Sequence, residues 1–281
     1  MSSSRRGFLR DIGLAAARQV ANRIEPEPEA VAPSRLSEDE QHRYSRHLLL
    51  PEWSEAAQVA VREASVLVIG AGGLGSPVAM HLAGAGVGRL GIVDSDAVEI
   101  SNLHRQHLHF TPDLGVAKAA SAAAKLRFLN PDIVVEDYYA RIDADNAAGM
   151  VEAQDLVVDC SDSFATRYVV NAACCAAGIP LVEGGVVGWS GLVMGIRPGE
   201  SACYRCAFGA EPADAPSCAE AGVLGPADGV IGSLQALEAL KLLTGAVEPL
   251  VDGFLQVDLA SLDVLRVSVA RRDDCPDCGT L

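Results

Sequence analysis

An apolar run that leads directly into a glycine-rich loop constrains this fold more than any other sequence feature. Residues 66–69 are all apolar and are followed by Gly70-Ala-Gly72-Gly73-Leu-Gly75, with Ser76-Pro77 after them. An unbroken apolar run is typical of a parallel strand covered on both faces, and proline is well tolerated in a helix's first turn. The G-x-G-x-x-G spacing brings backbone N–H groups and a helix N-terminus onto phosphate. The sequence therefore predicts a Rossmann-like, doubly wound α/β domain.

Composition narrows the class of protein further. Apolar residues make up 49% of the 281 residues, which is enough to bury a sizeable core. The formal net charge of −15 disfavours a nucleic-acid or anionic-membrane binder, since neutralising phosphate needs a basic face. No apolar run reaches the roughly 18 residues of a membrane span. Paired cysteines in such a chain indicate metal binding under reducing conditions, so we expect a soluble, cytoplasmic enzyme.

The first 35 residues differ in composition from the rest. Arg5-Arg6 resembles a twin-arginine export motif, but polar residues interrupt the apolar segment that should follow, and a proline- and glutamate-rich linker comes next. We therefore expect residues 1–35 to form a docking or disordered arm, and not a cleaved signal. The catalytic domain should span residues 36–281. Ser37 and Glu40 form a capping-box pattern that predicts a helix carrying Arg46 and ending before Pro51.

Acidic and basic side chains follow the glycine loop. A second apolar strand ends at Asp94, about 20 residues past the last glycine, where an acid can hold a ribose hydroxyl. That arrangement suits a nicotinamide dehydrogenase and an ATP-dependent enzyme equally. Arg105 and Lys118 add two cationic side chains that suit a triphosphate, the alternative being two solvated surface charges.

A third apolar strand ends in Asp159-Cys160-Ser161-Asp162. Carboxylates at the carboxyl end of a strand lie where open α/β sheets bind their ligands. Asp162 is therefore a candidate Mg²⁺ ligand, with Asp159 nearby. Cys174 and Cys175 follow in an alanine-rich helix, where we expect them to be buried, unreactive thiols.

Two C-x-x-C pairs stand far apart in the chain. Four thiolates fill a tetrahedral zinc shell and leave no open position, so the predicted site is structural. It would hold the C-terminal segment against the middle of the chain. The four predicted ligands are Cys203, Cys206, Cys275 and Cys278. Cys218 stands apart in a segment rich in Pro, Ala and Glu, where it is either a transient acyl-carrying nucleophile or a partly buried thiol.

In this order the motifs resemble the ThiF/MoeB/HesA family, bacterial relatives of the ubiquitin-activating enzyme. They are Arg43-Tyr-Ser-Arg46, the glycine loop, Asp94-x-Asp96, Ser101-Asn-Leu-His-Arg-Gln106, Lys118 and Asp159-Cys-Ser-Asp162. The resemblance covers residues 37–281 and implies a mostly parallel sheet that continues into an antiparallel C-terminal part with a four-cysteine zinc site. It implies ATP-binding roles for Gly70, Gly72, Gly73, Gly75, Asp94, Asp96, Asn102, Arg105, Gln106, Lys118 and Asp162. Arg46 would reach over from the second subunit of a homodimer.

The resemblance also implies a reaction. ATP would adenylate the C-terminal glycine of a ubiquitin-like sulfur carrier, similar to MoaD or ThiS and ending in Gly-Gly. A donor such as a cysteine desulfurase or rhodanese would then supply sulfur, either directly or by way of Cys218, for molybdopterin or thiamin biosynthesis. His47 and Ser163 depart from the family pattern, which usually has Gln and Asn there. Three alternatives stay open: adenylation of a peptide or tRNA base, an NAD-dependent dehydrogenase, and a non-catalytic scaffold.

Overall fold

The computed structural model describes residues 36–210 and 222–279, which fall into two units. One unit ends at Glu55, and the other runs from Ala56 to the C-terminal end of the chain. The predictions for the N-terminal arm and for Cys218 lie outside the described residues.

The first unit begins with the predicted capping box. Helix α1 spans Glu38–Arg43; the Ser37 side chain accepts the Glu40 N–H, and the Glu40 carboxylate accepts the Ser37 N–H. The helix is shorter than predicted, because it ends at Arg43 and Arg46 lies in the turns that follow. No residue of α1 is buried, whereas the next residue, Tyr44, is buried and stacks on His47. Burial of that ring accompanies the departure from helical geometry.

The second unit alternates helices and strands, as the sequence predicts. Its strands are β1 (Ser65–Ile69), β2 (Arg89–Val93), β3 (Val134–Tyr138), β4 (Leu156–Asp159), β5 (Leu181–Val187), β6 (Ser190–Ile196), β7 (Gly253–Asp258) and β8 (Asp263–Ser268). Its helices are α2 (Glu55–Glu63, beginning at the boundary), α3 (Gly75–Ala85), α4 (Lys118–Leu129), α5 (Ala147–Val151), α6 (Phe164–Ala177), α7 (Tyr204–Phe208) and α8 (Gly225–Thr244).

One eight-stranded sheet organises this unit, in the order β3-β2-β1-β4-β5-β6-β7-β8. The first five strands in that order are parallel, and β5 to β8 pair antiparallel, so the predicted fold class is confirmed. The apolar runs of β1 and β4 are buried on both faces, as expected for central parallel strands. Strand order reverses between β1 and β4, which is where such sheets open a ligand crevice.

Helices cover the sheet and position the loops at its carboxyl edge. Helix α8 packs against α3 and strands β4 to β6. Helix α6 begins with Ser163 as its N-cap and ends at Gly178 in the left-handed conformation; Cys174 and Cys175 are buried in it, as predicted. Among the described residues, no helix has the length and apolar character needed to cross a bilayer.

Candidate functional site

A cavity of about 340 Å³ lies at the carboxyl ends of β1, β2 and β4, a size usual for small-molecule sites. It gathers most of the residues that the sequence predicts for nucleotide binding. The predicted residues that line it are Gly70, Gly72, Gly73, Asp94, Asp96, Arg105, Gln106, Lys118 and Asp162. Gly75 begins α3 outside this lining, and Arg46 lies in the other unit; a nucleotide contact of either residue stays a prediction.

The glycine loop is shaped by close backbone packing. Gly70 has a φ of 92°, and a Cβ there would lie 2.9 Å from the Cys160 carbonyl oxygen, so only glycine fits. The Ala71 N–H donates to Asp94 Oδ2 at 2.8 Å. The Ala71 carbonyl accepts a hydrogen bond from His109 Nε2 at 2.8 Å. Because a carbonyl only accepts, His109 carries its proton on Nε2, and burial lowers the pKa of this imidazole. The buried His109 was missed in the sequence, where no motif marks it.

Asp94 and Asp96 occupy one rim of the cavity with Lys118. Asp94 Oδ1 accepts the Asp96 N–H at 2.8 Å, so this carboxylate orders both its own turn and the glycine loop. Lys118 Nζ lies 2.8 Å from Asp96 Oδ2; the lysine side chain is 8% exposed, whereas that of Asp96 is 66% exposed. Lys118 is therefore a positioned ammonium group at the cavity wall, which disfavours the alternative of a solvated surface charge.

The segment after β2 contributes Arg105 and Gln106 to the cavity. Arg105 Nη1 donates to the Ser101 carbonyl at 2.9 Å, which leaves other guanidinium N–H groups for a ligand. Gln106 lies against Gly72, and its buried Oε1 has no hydrogen-bond partner among the described residues. Asn102 is not brought to the cavity wall: its Oδ1 accepts the Glu99 N–H at 3.0 Å and shapes the turn that precedes Arg105. A contact of Asn102 with nucleotide stays a prediction.

Asp159 and Asp162 have different environments although they share one motif. Asp162 is exposed and lines the cavity, as a Mg²⁺ ligand on a phosphate would need to. Asp159 is fully buried outside the cavity lining, and its Oδ1 accepts the Ser161 N–H at 2.7 Å. Asp159 thus shapes the turn that presents Asp162.

The buried side chains of Arg167 and Glu183 lie near each other behind this turn. Arg167 Nη2 donates to the Ser161 carbonyl at 2.7 Å, and Nη1 lies 3.8 Å from Glu183 Oε2. Glu183 lies beside Asp159 in the β4–β5 register, and neither of its oxygens has a hydrogen-bond partner among the described residues. Burial, reinforced by the Asp159 charge, raises the pKa of Glu183 well above its ordinary value. In the sequence, only the position of Arg167 five residues after Asp162 could have identified it as a residue of this site.

We expect Glu183→Gln to stabilise the protein increasingly as the pH rises. The pKa of Glu183 is higher in the folded state than in the unfolded chain. Above the pKa of the unfolded chain, folding therefore requires this carboxyl to take up a proton, and the stability of the natural protein falls as the pH rises. The unfolding free energy of the variant, relative to the natural protein, should rise by up to about 1.4 kcal/mol per pH unit between pH 5 and pH 8. Urea unfolding at both pH values measures the difference.

Glu136→Gln is the matched control for that experiment. Hydrogen bonds from Tyr138 and Arg89 lower the pKa of Glu136, so removing its charge should give no gain at high pH. A Glu183→Gln variant whose advantage is the same at both pH values would show that Glu183 is ionised in the folded protein.

Asp228 and Arg141 line the cavity and were also missed. Asp228 lies in the first turn of α8, and Arg141 follows β3. The sequence feature that could have identified Arg141 is its position just after the carboxyl end of a parallel strand. Nothing in the sequence marks Asp228, because an acid in a helix's first turn is commonplace.

The four predicted zinc ligands come together elsewhere in this unit. Their sulfur atoms all lie within 4.8 Å of one another, and all four side chains are buried. The sulfur–sulfur distances are 3.8 Å for Cys203–Cys206, 3.6 Å for Cys203–Cys275 and 3.5 Å for Cys206–Cys278. Four sulfurs at about 2.3 Å from one zinc ion lie about 3.8 Å apart in a tetrahedron. The cluster therefore fits a zinc ion of the structural type.

Hydrogen bonds around the cluster hold the C-terminal segment in place. Asn171 donates to Asp277 Oδ2 at 2.7 Å and accepts the Tyr204 N–H at 2.9 Å. Arg205 Nε donates to the same carboxylate oxygen at 2.7 Å, and Arg271 donates to the Cys278 carbonyl at 2.7 Å. These bonds orient the cysteine-bearing segments, as supporting contacts around structural metals do.

Together, the doubly wound sheet, the glycine loop and the cavity that holds Lys118 and Arg105 define a nucleotide-binding α/β protein, and its four-cysteine cluster could hold a metal ion. The model of the ThiF family matches residues 44–277, and the chain belongs to this family. It is 45% identical over 252 residues to the sulfur carrier protein adenylyltransferase of Thermus thermophilus, covering 87% of this chain and 93% of that protein.

Two further relatives differ in length. The SAMP-activating enzyme E1 of Haloferax volcanii is 44% identical over 239 residues, which are 84% of this chain and 88% of the relative. The adenylyltransferase and sulfurtransferase MOCS3-1 of Zea mays is 44% identical over 247 residues, but the match spans only 53% of that longer protein.

Among solved structures, Escherichia coli MccB in complex with ATP superimposes with a TM-score of 0.76 at 25% identity. The match covers 84% of this chain and 74% of MccB.

Proposed function

We propose that this chain is an ATP-dependent adenylyltransferase that acts on the C-terminal carboxylate of a small ubiquitin-like sulfur carrier. One observation carries the proposal: a single cavity joins the glycine loop to Lys118, Arg105 and Asp162. The Thermus relative is named for acting on a sulfur carrier protein, and the MccB structure contains ATP.

Different residues of the cavity bind different parts of ATP. Asp94 lies at the end of β2 where it can hold a ribose hydroxyl, and the glycine loop receives phosphate through its backbone N–H groups. Lys118 and Arg105 neutralise the polyphosphate. Asp162 would hold Mg²⁺, which withdraws charge from the phosphate oxygens when it is bound.

The chain's contribution to the reaction is positioning and charge stabilisation. The carrier's carboxylate attacks the α-phosphate, a phosphorus–oxygen bond forms, and pyrophosphate leaves with the electron pair of the bond that breaks. The transition state gathers negative charge on the phosphate oxygens, and Lys118 and Arg105 stabilise it. The product is the acyl-adenylate of the carrier.

The later step and the assembly are also proposals. In the cytoplasm, the persulfide of a donor such as a cysteine desulfurase or rhodanese would displace AMP from the adenylate to form an acyl disulfide. A thiol would then reduce that disulfide, releasing the carrier thiocarboxylate and forming a new disulfide. Cys218 would carry the acyl group or sulfur if the family's cysteine step operates here. A homodimer would let Arg46 of one copy contact the phosphates bound by the other. Zinc in the four-cysteine cluster would be structural.

Two kinds of alternative remain distinguishable. A peptide- or tRNA-adenylating enzyme would share the phosphate site, but the names of the Thermus and Haloferax relatives favour a protein carrier. A dehydrogenase has less use for Lys118 and Arg105 beside the glycine loop.

We expect ATP–pyrophosphate exchange to occur only when a carrier with an intact Gly-Gly terminus is present. Each turnover needs the carrier's carboxylate at the α-phosphate, so deleting the last glycine should lower exchange at least about 100-fold, as misplacement of a reacting group does. Incorporation of labelled pyrophosphate into ATP measures the effect. ATP binding without exchange, across carriers that include the molybdopterin and thiamin types, would exclude this acceptor class.

A further inference from the structure

The proposed roles leave the buried carboxyl of Asp228 in the cavity unused. Asp228 is only 5% exposed and lines the cavity, and its Oδ2 has no hydrogen-bond partner among the described residues. The carboxyl lies directly against the Gly73 Cα, because a methyl group added at Gly73 would overlap Oδ2. Asp228 therefore reaches the part of the loop that receives phosphate.

Arg105 is the main charge that acts on this carboxyl. The start of α8 packs on the backbone of His104 and Arg105, since a Cβ at Gly225 would lie 2.7 Å from the His104 carbonyl oxygen and 3.2 Å from the Arg105 Cα. Burial raises the pKa of Asp228 to about 6, and the Arg105 charge opposes that rise. The other charged or titratable side chains of the cavity and of the elements packed on α8 are His81, Asp94, Asp96, His104, Lys118, Arg141, Asp159, Cys160, Asp162, Arg167 and Glu183.

A polyphosphate bound in this cavity would shift the protonation equilibrium of the Asp228 carboxyl. Arg105 would turn its charge to the phosphates, and an ionised Asp228 would then face negative oxygens at close range in a site of reduced dielectric. A neutral carboxyl has a proton to donate, and a phosphate oxygen is a strong acceptor. Both effects favour the protonated acid in the complex.

We infer that Asp228 binds the polyphosphate of ATP as a neutral acid, donating its carboxyl proton to a phosphate oxygen. The proton comes from solvent when the nucleotide binds and returns when the nucleotide leaves. The inference rests on the ATP-dependent function proposed above, but it concerns nucleotide binding alone and needs no carrier. It assigns a phosphate-binding residue to the first turn of α8.

Isothermal titration calorimetry of the full chain with MgATP tests the inference. Titrations in two buffers of different ionisation enthalpy give the number of protons taken up on binding. At pH 7, where a carboxyl of pKa about 6 is mostly ionised, the natural protein should take up close to one proton more than Asp228→Asn. The comparison cancels the titration of ATP itself, which both proteins share.

Affinity gives a second readout. Asn keeps a donor without a charge, so Asp228→Asn should bind MgATP within about twofold of the natural protein at pH 6 and about 50-fold more tightly than it at pH 8. Asp228→Ala loses the donor and should bind more weakly than Asp228→Asn at both pH values. Asp132→Asn, which removes an exposed acid outside the cavity lining, is the control and should leave proton uptake unchanged.

Three outcomes would overturn the inference. Equal proton uptake by the natural protein and Asp228→Asn would show that Asp228 does not change its protonation. Greater proton release by the natural protein would identify Asp228 as a cation ligand, because a bound cation favours the ionised form. A natural protein that binds no MgATP would overturn this inference together with the proposed function, whereas the first two outcomes leave ATP binding intact.

Discussion

Cys275→Ser is expected to release zinc and to lower the melting temperature of the protein by about 10 °C. A buried four-thiolate site contributes its binding free energy directly to folding, and a loss of about 3 kcal/mol corresponds to that shift in a domain of this size. The cluster also closes a long loop between Cys206 and Cys275, whose closure entropy would be released. Zinc content by atomic emission and melting by calorimetry measure the two effects.

Cys174→Ala is the matched control for the zinc prediction. Cys174 is as buried as the cluster cysteines but does not belong to the cluster. This variant should keep one zinc ion per chain and lose only the packing of a small apolar group. If Cys275→Ser does not fold, a strong chelator added to the natural protein should give the same loss of stability. A natural protein that carries no zinc and melts unchanged in chelator would refute the metal site.

Lys118→Ala is expected to lower carrier-dependent ATP–pyrophosphate exchange about 100-fold or more. The ammonium group is held at the cavity wall by Asp96, where the proposed function places the polyphosphate. Removing one preorganised donor to transition-state charge costs about 3–4 kcal/mol in comparable enzymes. Because the side chain of Asp96 is largely exposed, losing its partner should cost little stability. Exchange rates at saturating carrier measure the effect.

Lys125→Ala separates a site effect from a general loss of charge. Lys125 lies on the same helix, but it pairs with Asp113 and Ser121 away from the cavity wall. Its removal should leave exchange within about twofold, since Lys125 does not line the cavity. Equal losses for the two lysine variants would show that Lys118 has no special place in the reaction.

Asp94 shows how a sequence motif can identify a residue and still leave part of its role undescribed. Its spacing from the glycine loop predicted a ribose ligand, and the structure brings it to the cavity. The structure adds that both of its oxygens accept backbone N–H groups, from Ala71 and Asp96. The loop and the acid belong to neighbouring strands, so that support depends on the β1–β2 pairing.

Local patterns in the sequence determined the elements that begin and end within a few residues. The glycine loop after β1, the capping box at Ser37 and the turns of the two C-x-x-C pairs each follow from steric and hydrogen-bonding preferences of adjacent residues. The order of the motifs along the chain then indicated the family, and the model of the ThiF family matches the chain.

Tertiary structure alone decided which distant residues share the cavity. Asp228 reaches Gly73 because α8 packs on α3 and on the segment that holds Arg105. Glu183 lies beside Asp159 because β5 pairs with β4 in one register, and a shift by one residue would turn the side chain to the other face. Hydrophobic periodicity specifies which face of a helix or strand is buried, but not which partner buries it. The sequence therefore determined the elements and their chemistry, whereas packing determined which charged side chains lie around the cavity.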